Sequence, residues 1–423
     1  MGAFKPSFIE LMIIGIIIFE ALLIFVFFIT IVTRRVFRKR RFDELDKQRV
    51  LHREKLRKAL YSGEVSREIE ELRSSPKSIK WQAIEGILLD FMNEGEYRED
   101  VKELFKKLGY IAFYEKGLEN RNIITKATAI DRLGKMLSKS SLDKLTSMLS
   151  IKNAEIVSVT VRAISRMGRI EGLKAILKRL PELLKDSLIA RKTIVTSLLH
   201  FGTSGVPVIV EYGRLYRENP DITVSILDIL YHFPSEISFL YAIDNLKNKD
   251  PEVRARSLKV LSQAAKSKKD FDHTLLLPLF EDGVWFVRLQ AAKTAGEMKS
   301  IKYLDGLKGL LFDEKWLVRN AAVTALSKLG DPAIDILLSA LTSEDGYAKE
   351  SICEEIEKTN FVYRIIDNLD TDDEIVCNKS RNILISMSSL GFSTPLREYL
   401  EKGEKGIIKE KIRDILIEGA GNQ

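Results

Sequence analysis

The chain has 423 residues, a net charge of +7 and two cysteines. Residues 1–41 carry +5 of that charge and the remaining residues carry +2, so the sequence lacks the basic stripe expected of a nucleic-acid-binding protein. Two cysteines in a chain of this length exclude a disulfide framework and fit a reducing compartment.

Residues 8–32 form an almost unbroken apolar run near the N-terminus. As a helix this run would be about 37 Å long, enough to cross a bilayer with some tilt. A cleaved signal peptide would need a shorter apolar core and a small-residue cleavage site, whereas this run ends in Thr33-Arg34-Arg35. The sequence therefore predicts an uncleaved transmembrane helix over residues 8–33, preceded by a short extracytoplasmic tail at residues 1–7.

A basic cluster follows the apolar run, against a single lysine, Lys5, on its other side. This asymmetry predicts a single-pass protein of the cell membrane, with the N-terminus outside and the large C-terminal part in the cytoplasm. Each basic residue near anionic lipid headgroups contributes roughly 1 kcal/mol of attraction. The predicted headgroup-contacting residues are Arg34, Arg35, Arg38, Lys39, Arg40 and Arg41.

Glu20 interrupts the predicted span near its midpoint, where an acidic side chain costs on the order of 2–3 kcal/mol. One hypothesis is that Glu20 faces a polar or basic group on another transmembrane helix. The alternative is a protonated carboxyl that a very apolar helix tolerates. Beyond the span, residues 34–75 are highly charged with mixed signs and predict a basic juxtamembrane segment and helical stalk. A thin apolar stripe in the stalk, including Leu56 and Leu60, leaves pairing with a second copy open.

Residues 76–423 repeat a pattern of two amphipathic helices. The residue that closes one helix of each pair recurs every 30 to 34 positions and is commonly Gly, Asn or Pro, which suit a helix end. These markers are Gly134, Gly168, Gly202, Pro234, Ala265, Lys299, Gly330, Asn360 and Gly391. A period in this range indicates stacked helical pairs that bury their apolar faces against neighbours. We expect an all-α, right-handed solenoid of roughly nine to eleven pairs.

Local patterns support the same architecture. Val318, Ala322, Ala325 and Leu329 recur at three- and four-residue steps, which predicts one buried helical stripe. Asp250-Pro251 and Asp331-Pro332 each place a capping carboxylate before a proline at the first helical position.

Two segments 31 residues apart nearly repeat each other: Asp282-Gly-Val-Trp285-Phe-Val-Arg288 and Asp313-Glu-Lys-Trp316-Leu-Val-Arg319. Each Trp lies three residues before an Arg, which places both on nearly the same helix face. Trp285, Arg288, Trp316 and Arg319 are therefore candidate protein-binding residues, since aromatic and Arg side chains dominate binding hot spots. The alternative is structural: the aromatic rings fill loops between repeats, and the Asp and Arg residues pair between neighbouring repeats.

The segment Asp282–Ala292 resembles the short HEAT-like repeats of phycobilin lyases, and the resemblance extends over about residues 247–330. It implies a solenoid of HEAT-like helical hairpins and little about function. Deoxyhypusine hydroxylases, which are similar in architecture, bind iron through His-Glu dipeptides. The histidines here are not followed by Glu; they are His52, His200, His232 and His273. The sequence therefore predicts no metal, no cofactor and no enzymatic activity of that kind. The repeated His200-Phe201 and His232-Phe233 pairs favour rings that hydrogen-bond the last carbonyls of a helix. The alternative is that these histidines bind a ligand.

Together these features predict a membrane-anchored scaffold or adaptor that presents a cytoplasmic HEAT-like solenoid to protein partners. The alternative is an accessory subunit of a multi-span membrane enzyme or export complex, such as one for polysaccharide assembly. In that case the transmembrane helix, with Glu20, would dock on the polytopic partner.

Overall fold

The computed structural model describes residues 8–62, 70–95, 98–185, 189–264 and 272–421. Every regular element in these residues is an α-helix or a short 3-10 turn, which confirms the all-α prediction for the described chain. The predicted tail at residues 1–7 and the marker Ala265 lie outside the described residues. The helices form two compact units, Met1–Met167 and Gly168–Gln423.

The first unit begins with one uninterrupted helix of 55 residues, α1 (Phe8–Ser62). At 1.5 Å per residue it is about 82 Å long. Side chains described in its apolar run, such as Phe19 and Phe27, are exposed. Gly15–Lys58 contains a stretch long and apolar enough to cross a membrane. A second stretch of that kind, Arg191–Leu215, is half buried inside the protein, as expected of core helices.

The C-terminal part of α1 packs on the rest of the first unit. Leu56 and Leu60 belong to the same buried cluster as Trp81 and Phe105, so this end of the predicted stalk fills its apolar stripe within its own chain. The other helices of the unit are α2 (Ile79–Glu94), α3 (Arg98–Lys107), α4 (Tyr110–Gly117), α5 (Ile123–Lys135), α6 (Leu142–Met148) and α7 (Ala154–Met167).

The second unit also consists of α-helices, of about two to four turns each. It comprises α8 (Ile170–Lys185), α9 (Arg191–Leu198), α10 (Gly202–Leu215), α11 (Pro220–Leu230), α12 (Glu236–Asp244), α13 (Pro251–Ala264), α14 (Trp285–Met298), α15 (Leu304–Leu310), α16 (Trp316–Leu329), α17 (Ile334–Leu341), α18 (Gly346–Lys358), α19 (Phe361–Asp367), α20 (Glu374–Ser389), α21 (Thr394–Lys402) and α22 (Gly406–Gly421). Short 3-10 turns, such as Leu277–Glu281 and Asp331–Ala333, join several of these helices.

Equivalent helices of successive repeats lie side by side: α14 packs on α16, and α16 packs on α18. The predicted stripe of α16 is buried at Val318, Ala322 and Ala325 and partly buried at Leu329. Each helix therefore covers the apolar face of its neighbour, which is how a repeat too small to form its own core becomes stable.

The φ angles at the helix ends can be compared directly with the predicted helix-closing residues. Positive φ angles, which favour Gly and tolerate Asn, occur at Gly168, Gly202, Lys299, Gly330, Asn360 and Gly391. Lys299 adopts the left-handed conformation despite its side chain and donates its backbone N–H to the carbonyl of Ala295. Gly134 was wrongly placed, because it lies inside α5 and the positive φ follows at Leu137.

Of the two helix caps predicted at Asp-Pro sequences, one is confirmed and the other is wrong. Asp250 caps α13 as predicted, since its carboxylate accepts the backbone N–H groups of Glu252 at 2.8 Å and Val253 at 3.2 Å. The prediction for Asp331 is wrong. This residue begins a 3-10 turn, and its carboxylate binds the guanidinium of Arg364 at 2.9 Å instead.

Candidate protein-binding surface

An Asp–Arg ladder connects the repeats around the candidate residues. Arg254 on α13 donates to both carboxylate oxygens of Asp282, with distances of 2.7 and 2.8 Å. Arg288 on α14 makes the same bidentate contact with Asp313, at 2.5 and 3.0 Å. The acidic side chains of these pairs are only 7% and 4% exposed. Bidentate pairs in such shielded positions are strong and geometrically specific.

Each Asp of the ladder also shapes its own turn. Asp282 and Asp313 accept the backbone N–H two residues ahead at 2.9 Å, which fixes the start of the following helix. Arg288 and Arg319 in turn donate to the backbone carbonyls of Asp282 and Asp313 at 2.7 and 2.9 Å. Arg288 is thus occupied within the fold, and its contacts support the structural alternative.

The ladder changes at Arg319. Its guanidinium donates to the hydroxyl of Ser351 at 3.1 Å and lies 5.9 Å from the ring centre of Tyr347. The carboxylate of Asp345, at the corresponding turn, instead caps α18 by accepting the N–H of Ala348 at 3.0 Å. Among the described residues, Arg319 has no salt bridge to a carboxylate. Arg319 is therefore the ladder arginine whose charge remains available to a partner.

The tryptophans stand at the first residue of α14 and α16 and point into solvent. Trp285 is 36% exposed and Trp316 is 58% exposed. Tyr347, 31 residues beyond Trp316 and next to the start of α18, is 74% exposed. We call Trp285, Trp316 and Tyr347 the aromatic row. The sequence reasoning missed Tyr347, although the 31-residue spacing that relates the two tryptophans also leads to it.

The ladder carboxylates should make the second unit sensitive to acid. Burial alone would raise the pKa of Asp282 and Asp313, but hydrogen bonds and charge from Arg254 and Arg288 outweigh it and hold each pKa below 3.8. Because the folded pKa is depressed, the stabilisation is present above 3.8 and is lost as the pH falls through the lower folded value.

We therefore expect the urea midpoint of the full chain to fall in the acidic window below about pH 4. A variant with Asp282→Asn and Asp313→Asn should be less stable at neutral pH and show a shallower fall in this window. An equal slope in both proteins would contradict the assignment to these carboxylates.

Other side chains that could carry chemistry, such as Cys353 and His200, are held in structural contacts. Burial raises the pKa of the Cys353 thiol to about 12, so this side chain stays protonated at neutral pH. The ring Nδ1 of His200 lies 3.1 Å from the carbonyl of Ser197, the helix-end contact predicted for it. Within the described ranges, no group of three or more His, Cys, Asp or Glu side chains could hold a metal ion.

The predicted membrane-contacting residues all lie on α1. Glu20 is exposed on the apolar part of the helix, and the basic cluster from Arg34 to Arg41 is exposed immediately after it. Arg41 also donates to the side-chain carbonyl of Gln82 at 3.0 Å, so the end of the basic cluster lies against the start of α2. The roles of Glu20 and of the basic cluster remain predictions.

Comparisons with known proteins agree with the helical repeats. A family model for HEAT repeats matches residues 273–357, the segment that contains the aromatic row, and supports assignment of these repeats to the HEAT superfamily. The phycobilin-lyase type remains a prediction. No curated sequence relative matches the chain.

Several solved structures resemble the fold at low identity. An engineered protein is 17% identical, with 73% of this chain and 98% of that chain covered and a TM-score of 0.37. The karyopherin Kap121p bound to the SUMO protease Ulp1p is 11% identical, with 82% and 48% covered and a TM-score of 0.47. Kap121p bound to the extreme C-terminus of the protein phosphatase Cdc14p is 11% identical, with 82% and 49% covered and a TM-score of 0.46. The chain spans about half the length of these karyopherins.

Proposed function

We propose that this chain, with HEAT repeats over residues 273–357, is a single-pass membrane scaffold that binds a protein partner. Its apolar N-terminal helix anchors it in the cell membrane, and the flanking basic cluster places the repeats in the cytoplasm. The observation that carries the proposal is the exposed aromatic row, in helices whose opposite faces are buried in the stack. Anchoring confines this surface to two dimensions and raises its effective concentration for partners at the membrane.

The surface has a defined chemistry. The aromatic row offers large apolar rings at the starts of α14, α16 and α18, the equivalent helices of successive repeats, and Arg319 adds a cation beside Tyr347. A fitting partner presents apolar side chains to the rings and a carboxylate to Arg319, because desolvated Arg–carboxylate contacts give specificity. The proposed role is binding and not catalysis.

A photocrosslinking amino acid at Trp316 tests this proposal in intact membranes. We expect a distinct protein adduct from Trp316, identified by mass spectrometry, and none from the same probe at Ile417, an apolar side chain that is 73% exposed on α22. With the captured protein purified, combined Trp285→Ala and Trp316→Ala substitution should raise Kd by about tenfold or more.

Folding provides the control for this experiment. Because Trp316 is 58% exposed, we expect its removal to change stability by only about 0.5 kcal/mol. Removal of Trp285, which is only 36% exposed, should cost more because it also loses packing contacts. Unchanged affinity would refute the binding role. A matching collapse of thermal stability would instead assign the rings to packing.

Glu20 favours a second candidate, the accessory subunit of a multi-span membrane enzyme or export complex. The described structure leaves its side chain exposed within the apolar part of α1, where a partner helix could supply a polar group. The two candidates separate in a pull-down with the full chain. Loss of a polytopic partner on Glu20→Leu favours the accessory subunit, and loss on substitution of the aromatic row favours the scaffold.

A further inference from the structure

The first unit contains a cleft that the binding surface does not use. Its volume is about 500 Å³, and side chains from the start of α2, from α4 and from the first half of α5 line it, including Gln82, Phe113 and Ile124. Its inner wall is fixed by Glu85, which accepts a hydrogen bond from Tyr114 at 2.8 Å and lies 3.4 Å from Arg132.

The rim of the cleft is apolar where α5 begins. Ile123 is 44% exposed and Ile124 is 72% exposed, although both stand at the N-terminal end of a helix whose later residues Ile130 and Leu133 are fully buried. Ile124 therefore lies mostly in water, and Ile123 beside it is partly exposed. A surface that removes them from water would gain the free energy of burying their exposed apolar area.

Exposed cations surround this apolar rim. Lys77 and Lys116 line the cleft, and Arg121 lies two residues before Ile123. None of the three forms a salt bridge with a described residue, and Glu119 is the acidic side chain of the same loop. Adjacent isoleucines flanked by unpaired cations are the combination that binds the interface of an anionic bilayer.

The position of the rim relative to the proposed span supports a lipid occupant. Gln82 lines the cleft and binds Arg41 at 3.0 Å. Arg41 is nine residues beyond Val32, or about 13 Å along α1, and the exposed rings of Phe37 and Phe42 extend the apolar surface into this interval. Headgroup layers are about 5–7 Å thick on each side of the hydrocarbon. With α1 upright, Arg41 would lie roughly 6–8 Å beyond the headgroup layer, so the rim meets this layer when α1 tilts toward it, as membrane helices do by about 20° on average.

We propose that Ile123 and Ile124 insert into the bilayer interface while Lys77, Lys116 and Arg121 bind the phosphate groups of anionic phospholipids. The proposal rests on the membrane anchoring of α1. It gives the first unit two attachments to one lipid surface, so that the unit is held in a fixed orientation instead of swinging on a single helix.

Lipid-depth quenching tests this docking in the full chain. An environment-sensitive fluorophore is attached to Ile24→Cys, Ile124→Cys or Val50→Cys, each in a Cys377→Ser background, and the protein is placed in nanodiscs with and without phosphatidylserine. Val50 is a matched control because it is 77% exposed in the same unit but about 27 Å beyond Val32 along α1. Spin-labelled lipids should quench the Ile124 probe roughly twofold or more above the Val50 probe, and this excess should shrink without phosphatidylserine.

The three positions separate the possible failures. Quenching at Ile24 without excess quenching at Ile124 overturns the docking and leaves the anchor intact. No quenching at Ile24 overturns the anchor and the docking together. A blue shift at Ile124 without quenching by lipid also overturns the proposal, since it would show a protein occupant in place of the bilayer.

Discussion

Substitution of Asp313 by alanine should destabilise the second unit by about 3 kcal/mol, because it leaves the shielded Arg288 with only the exposed Glu314, at 3.9 Å, as a carboxylate neighbour. In the native protein the carboxylate of Asp313 receives two guanidinium hydrogen bonds and one backbone hydrogen bond. The substitution therefore removes the contact between repeats and the turn that starts α16 in one step.

Hydrogen exchange of the full chain is the suitable measurement, because stacked repeats can open locally without unfolding as a whole. Protection should fall mainly in α14 and α16. Asp331→Ala is the matched control, since Asp331 and Arg364 form a bidentate pair of 2.9 Å bonds between repeats in which both side chains are about half exposed. Exposed pairs contribute about 0–1 kcal/mol. Equal losses in the two variants would show that burial does not set the strength of the ladder.

The Asp–Arg ladder shows which contacts between repeats could be predicted from the sequence. Asp and Arg at repeating positions predicted pairing between repeats. The pairs Arg254–Asp282 and Arg288–Asp313 have that geometry. The sequence could not show that the third Arg turns to Ser351, because Asp345 lies in a shorter turn and its carboxylate caps α18. Two residues separate Asp282 and Asp313 from the helices that follow them and none separates Asp345 from α18, and this difference accompanies the change from an internal to an available arginine.

The helix ends offer a similar lesson. Gly and Asn at the marker positions predicted left-handed turns, because the residue type largely determines how easily the backbone adopts a positive φ. Lys299 adopts the same conformation although a lysine lacks the steric freedom of glycine, so residue type alone does not predict it. The exposure of the aromatic row could not be predicted from the sequence either. A Trp at a helix start fills a loop or faces solvent according to how the next repeat packs.

Gly134 was expected at a helix end and instead lies at the contact between α5 and α7. An added Cβ there would lie 2.6 Å from both the Cα and the Cβ of Ala163. The second unit repeats this contact between α14 and α16, where a Cβ on Gly296 would lie 2.9 Å from the Cα of Ala325. In both places glycine permits close approach of two helix backbones, and its conformational freedom is not the reason for its presence.

Gly134→Ala should therefore cost about 3 kcal/mol and Gly296→Ala about 1–2 kcal/mol, since overpacking against backbone atoms is relieved only by moving a helix. Gly309→Ala is the control, because no atom lies within 4 Å of its added Cβ and alanine stabilises a helix by roughly 0.5–1 kcal/mol relative to glycine. Chemical denaturation of the three full-length variants should give this order. If all three variants were stabilised, helix propensity and not helix separation would govern these positions, and the stacking of equivalent helices would tolerate wider spacing than the structure shows.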